Sequence, residues 1–136
     1  MKYLLLLQRG AGEDLPEFGT PEATAMVSAW TSATDAMRAA GVLIDCAPLA
    51  SASTATTVRV REGQTLLTDG PAAELKEQVG GYTLMECADL DEAIKWAASL
   101  PAAAAASVEI RPVLAPRAAD PGMASGPTAP TPGTPS

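Results

Sequence analysis

Apolar residues fall along this chain in short runs separated by two stretches of helical spacing. Tyr3 to Gln8 is a compact apolar run, too short for a helix of ordinary length, and is expected to be a buried strand. Arg9 to Gly19 holds Gly10, Gly12, Pro16 and Gly19 among acids, the composition of a loop. Thr20-Pro21-Glu22 then starts a helix: Thr20 suits the cap, Pro21 the first helical position, and Glu22 the positive helix end. Met26, Trp30, Ala33 and Met37 recur at helical spacing, and Gly41 is placed to end the element, so a helix is expected over residues 21–40. Val42 to Leu49 reads as a strand broken by Pro48, and Ser51 to Thr54 as a polar linker. Thr56 to Arg61 alternates, with Val58 and Val60 opposite Arg59 and Arg61. After the turn at Glu62-Gly63-Gln64, Thr65 to Thr68 runs back as a hairpin. Gly81 to Cys87 is a further strand. Asp89 and Glu92 frame a capping box for a second helix, whose apolar face is expected at Leu90, Ile94 and Ala97, widened by Trp96 and Leu100, with Pro101 as its stop. Ala102 to Ala106 is expected to be an irregular connection, and Ser107 to Val113 the last strand.

Strand, helix, strand, hairpin, strand, helix, strand is an α+β order. It fits a ferredoxin-like layout, an antiparallel sheet with two helices on one face. The other sheet face then needs a cover, and a second copy of the chain supplies one, so a homodimer is expected. Residues 115–136 break the pattern: six of the twelve prolines lie there among Gly, Ser, Thr and Ala, and Met123 is the one large apolar residue. Such a segment buries too little surface to offset its ordering entropy, and a disordered tail is expected after a folded domain at 1–114.

Composition narrows the chemistry. The 136 residues suffice for one domain, and with aromatics at 4% its core has to be aliphatic and alanine-rich. A net charge of −7, with no basic run, argues against direct nucleic-acid binding and against an anionic membrane surface. The opening apolar run ends at Gln8-Arg9, too short for a signal peptide, and no stretch reaches the ~20 apolar residues of a membrane span, so a cytoplasmic protein is expected. Cys46 and Cys87 are far apart and make neither a disulfide framework nor a metal motif. The chain has no histidine, which excludes Ser-His-Asp and Cys-His catalysis and every His-containing metal site. No phosphate-binding glycine loop is present either, and neither a cofactor nor a metal is expected.

The densest stretch is Thr68 to Tyr82, with Asp69-Gly70-Pro71, a charge cluster at Glu74, Lys76, Glu77 and Gln78, and Gly80-Gly81. Together with Cys87-Ala88-Asp89-Leu90-Asp91-Glu92-Ala93, Val108-Glu109-Ile110-Arg111-Pro112-Val113, the Lys2-Tyr3 opening and Arg38-Ala39-Ala40-Gly41-Val42, it resembles the YCII-related family. More narrowly, it resembles the branch named for an Asp-Gly-Pro-Phe motif. The resemblance spans Met1 to about Leu114 and implies a dimeric α+β barrel. Relatives in this branch are linked to sigma-factor-type regulators, which implies a transcription-regulator protein as partner. Two departures stand out. Ala72 replaces the motif's Phe, and Trp30 occupies the position nearest to a histidine that relatives carry in the first helix. The His-Asp chemistry suspected in the wider family, which includes a dehydrochlorinase, therefore does not transfer.

Asp69 is the sharpest candidate for chemistry, as an acid/base or a ligand-binding carboxylate; the plainer reading is a side chain capping its own turn. Arg59 is a candidate for holding an anion, or an exposed strand charge, and Tyr82 a candidate ligand contact or an interface aromatic. Gly80-Gly81 is expected to let backbone approach closely. The favoured function is a non-catalytic, small-ligand-binding or transcription-accessory homodimer. The alternative is an enzyme on a small aromatic or lactone-like substrate, with Asp69 as acid/base helped by Arg59 or Tyr82.

Overall fold

A computed structural model describes residues 1–10, 15–73 and 75–114. The expected tail at 115–136 lies outside the described residues, as does Glu74. The elements are β1 (Lys2–Gly10), α1 (Pro21–Ala39), β2 (Leu43–Pro48), β3 (Thr56–Arg61), β4 (Gln64–Asp69), β5 (Glu77–Glu86), α2 (Leu90–Ala98), α3 (Pro101–Ala105) and β6 (Val108–Pro112), with one 3-10 turn at Ala52–Thr54. The fold is α+β. Four antiparallel strands lie in the order β2-β5-β1-β6, and β3 and β4 form a separate two-stranded sheet.

Local chemistry sets the ends of α1. The Thr20 hydroxyl accepts the Ala23 N–H at 3.2 Å, and Pro21 occupies the first turn. At the other end Gly41 adopts φ +75°, while Val42 N–H reaches Met37 O and Gly41 N–H reaches Arg38 O, a Schellman closure that satisfies two terminal carbonyls. The capping box of α2 also forms. Asp89 Oδ1 accepts Glu92 N–H at 2.9 Å, and Glu92 reaches back to Ala88 N–H at 2.8 Å, one residue beyond the cap.

One face of the four-stranded sheet carries the core. Tyr3, Leu5 and Leu7 of β1 are buried with Met85 of β5 and with Cys87, and Met37, Val42, Ala93, Ala97 and Leu100 close over them. All three helices lie against this face: Met37 of α1 and Ala93 and Ala97 of α2 are in the cluster, and Ala102 of α3 packs on it. Thr83 is fully buried on the same side, and its hydroxyl has no hydrogen-bond partner among the described residues. The opposite face carries Leu4, Leu6, Tyr82 and Leu84, cross-strand neighbours in register.

Four expectations need correction. The strand expected from Gly81 begins at Glu77, because a bulge opposite Leu7 and Gln8 absorbs the double glycine instead of ending the strand, and β1 accordingly runs on to Gly10. Pro101 does not merely stop α2. It sits in the first turn of a short third helix, where its missing N–H costs nothing, and alanine's helix preference carries the rest. Ala97 is buried as expected, but its partner in the buried stripe of α2 is Ala93, while Leu90 and Ile94 are about half exposed, because small residues allow the helix to sit close on the sheet. The polar linker at 51–54 contains a 3-10 turn, in which the Ser51 hydroxyl accepts the Ser53 N–H.

Candidate functional site

The residues singled out from the sequence are spread over two sheets. Asp69 is the exposed last residue of β4, paired with Thr56, whereas Arg59 is half-buried on β3 and pairs with Leu66. Three register positions apart along β3, Thr56 and Arg59 project to opposite faces, so Asp69 and Arg59 do not meet within the hairpin. The Asp-Gly-Pro turn is held by backbone. Gly70 has φ +96°, its N–H donates to Ala55 O at 2.7 Å, and the Thr57 hydroxyl donates to Gly70 O at 2.7 Å. Gln78 ties the following segment down through Ala73 O and Leu75 O.

Tyr82 stands apart from both, on the open face of the larger sheet, and its hydroxyl donates to Asp45 Oδ2 at 2.8 Å. The other carboxylate oxygen of Asp45 accepts the Cys46 N–H at 2.9 Å. The hydrogen bond to the Asp45 carboxylate is the main force raising the Tyr82 pKa above its ordinary value, with burial and the nearby charge adding to it. Burial likewise pushes up both thiols. At Cys46 the positive charge of Arg38 partly offsets this, and at Cys87 the Glu92 carboxylate adds to it. Neither thiol is therefore activated as a nucleophile. Asp45 was not singled out from the sequence, since one acid in a short strand gives no signal of its own.

A concave apolar site lies on the helix side of the sheet. It has a volume of about 350 Å³ and is lined by Leu7 and Arg9 of β1, Met26 and Trp30 of α1, Gly80 and Gly81 of β5, and Pro101, Ala102 and Ala105 of α3. The bulge that leaves Gly80 unpaired explains the double glycine. A Cβ at Gly80 would lie 2.9 Å from the Arg9 guanidinium, and one at Gly81 would lie 3.0 Å from Ala47 O. Gly81 thus lies against neighbouring backbone, the close approach expected from the sequence, whereas a side chain at Gly80 would push the Arg9 guanidinium aside; both glycines floor the site. Arg9 is braced across it: Nη2 donates to Gly80 O at 2.9 Å, and both terminal nitrogens reach Leu49 O at 3.3 Å.

The YCII-related domain family matches residues 1–116. The chain belongs to the YCII-related family. This YCII-related chain is also 43% identical over 76 residues, 54% of its own length, to an uncharacterized protein of Rhizobium meliloti (strain 1021). The match spans 61% of that relative. Among the described residues of the YCII-related domain, no helix is long and apolar enough to cross a membrane, and no three acidic, cysteine or histidine residues gather as a metal site. Nothing in the sequence marks Arg9, which follows an apolar run and precedes a glycine; the strand continues through it and carries it to the pocket.

Proposed function

We propose that this YCII-related domain is a small-ligand-binding homodimer whose ligand site is the apolar pocket lined by Trp30. The pocket carries the reading: about 350 Å³ of concave space, walled by Leu7, Met26, Trp30 and α3, falls within the roughly 300–1,000 Å³ typical of small-molecule sites. In finer terms we read the domain as ferredoxin-like, in the Asp-Gly-Pro-Phe branch. The strand order β2-β5-β1-β6 supports that layout, with the β3–β4 hairpin as an addition.

A second copy completes this proposed assembly as a dimeric barrel. The support for it is apolar surface: Leu4, Leu6, Tyr82 and Leu84 on the open sheet face, and on the hairpin Val58, Val60, Leu66 and Leu67, with Leu67 at 68% exposure. A hairpin this apolar has no cover within its own chain among the described residues, and a two-fold partner is the commonest way to provide one.

The test is a thermal-shift screen of small apolar and aromatic molecules against the native protein, Asp69→Ala and Ala105→Phe. Ligands should raise the Tm of the native and Asp69→Ala proteins alike and lose their effect in Ala105→Phe, which fills the pocket from α3. Ligands lost in Asp69→Ala but kept in Ala105→Phe would instead favour the enzyme reading centred on Asp69.

A further inference from the structure

Resting on the pocket reading above, we propose that the ligand is a small apolar carboxylate anchored by Arg9. Among the residues lining the pocket, Arg9 is the one charged group; the others are apolar, glycine or proline, apart from Gln8. Arg9 is half-buried, so an acid entering the pocket meets a cation that is only partly screened by solvent. The bonds Arg9 makes among the described residues are to the carbonyls of Leu49 and Gly80, which fix its orientation but bring no negative charge. No carboxylate of the described residues forms an ion pair with it. Its Nε makes no hydrogen bond to any described residue, so the guanidinium keeps donors for a ligand.

The packing around the group fits the same role. Gly80 lies so close to the guanidinium that even a methyl group would displace it, at 2.9 Å from both Cζ and Nε. Arg9 is oriented by the Leu49 and Gly80 carbonyls, which take both Nη2 hydrogens and one of Nη1, so a carboxylate would be held through the single Nε–H, a charge-assisted hydrogen bond. The net charge of −7 repels anions generally, so binding of an acid has to come from this local contact. The remaining walls, Leu7, Met26, Trp30 and Ala102, suit an aliphatic or aromatic body. The volume, near the lower end of the usual range, limits that body to a small one.

The experiment compares 3-phenylpropionate with its neutral isostere 3-phenylpropionamide, by NMR titration of the full chain. The native protein should bind the acid about tenfold or more tightly than the amide, the margin expected for a hydrogen bond to a charged group. Arg9→Gln should bring the two to equal affinity, and Ala105→Phe should weaken both. Equal binding of acid and amide to the native protein would overturn the carboxylate assignment and leave the pocket reading intact; that comparison needs no variant to fold. An acid preference that survives in Arg9→Gln would overturn Arg9 as the anchor. Absence of binding by both compounds would overturn the assignment and count against the pocket as a ligand site.

Discussion

The informative residues of this chain are those whose neighbours do not match their chemistry. Thr83 is fully buried with an unpartnered hydroxyl, in contact range of an aliphatic core. Leaving such a group unsatisfied costs about 1–3 kcal/mol, so Thr83→Val, which keeps the shape and removes the hydroxyl, should stabilise the fold by about 1 kcal/mol in chemical denaturation. A stability loss would mean that the hydroxyl is satisfied after all. Tyr82 is the reverse case, a hydroxyl with a charged partner in Asp45. Because its pKa is raised in the folded protein, the folded state favours the protonated phenol. The contribution is complete below the ordinary tyrosine value of 10.0 and is lost as pH rises through the higher folded value. Spectrophotometric titration should therefore find a native tyrosine ionising later than in the unfolded chain, and Asp45→Asn should move that step down. The sequence exposed one half of this pair, Tyr82, since an aromatic on an alternating strand draws notice. It hid the other half, because pairing across β2 and β5 joins residues 37 apart in sequence.

Elements were legible wherever a local signal sets their ends. Thr20, Pro21 and Gly41 delimit α1 through bonds that any reader of the sequence can anticipate, and α2 starts at Asp89 for the same reason. Asp89→Ala removes the cap and should cost about 0.5–2 kcal/mol, measured by urea unfolding; an unchanged midpoint would mean the Glu92 contact alone holds the helix start. Legibility failed where tertiary pairing overrides a local stop. Gly80-Gly81 signals a strand boundary on its own, yet β1 supplies partners as far as Glu77 and the bulge takes up the extra residue. Leu90 and Ile94 outweigh Ala93 and Ala97 in hydrophobicity, but the close approach of helix to sheet selects the small residues for the inside. For the candidate site the same limit applied. The glycines pointed to close backbone contact, while Arg9, their partner 71 residues away from Gly80, carried no mark in the sequence.

For the whole molecule, the proposed architecture places two surfaces on opposite sides of one sheet: the open face for a second copy and the helix side for a ligand. The first is checked by sedimentation equilibrium at micromolar concentration, where a species of twice 13.8 kDa is expected. Leu67→Glu, which puts a charge on the apolar hairpin, should shift the protein toward monomer, and a native monomer would remove the barrel from the proposal. The second surface has a built-in reporter, because Trp30 lines the pocket whereas Trp96 lies on α2 and packs against the core. In Trp96→Phe, Trp30 is the remaining tryptophan, and its fluorescence can be followed while small apolar aromatic molecules are added to the full chain. A saturable change in emission that Ala105→Phe abolishes is the expected result; emission from Trp30 that stays constant throughout, or changes equally in Ala105→Phe, would contradict the pocket as the ligand site.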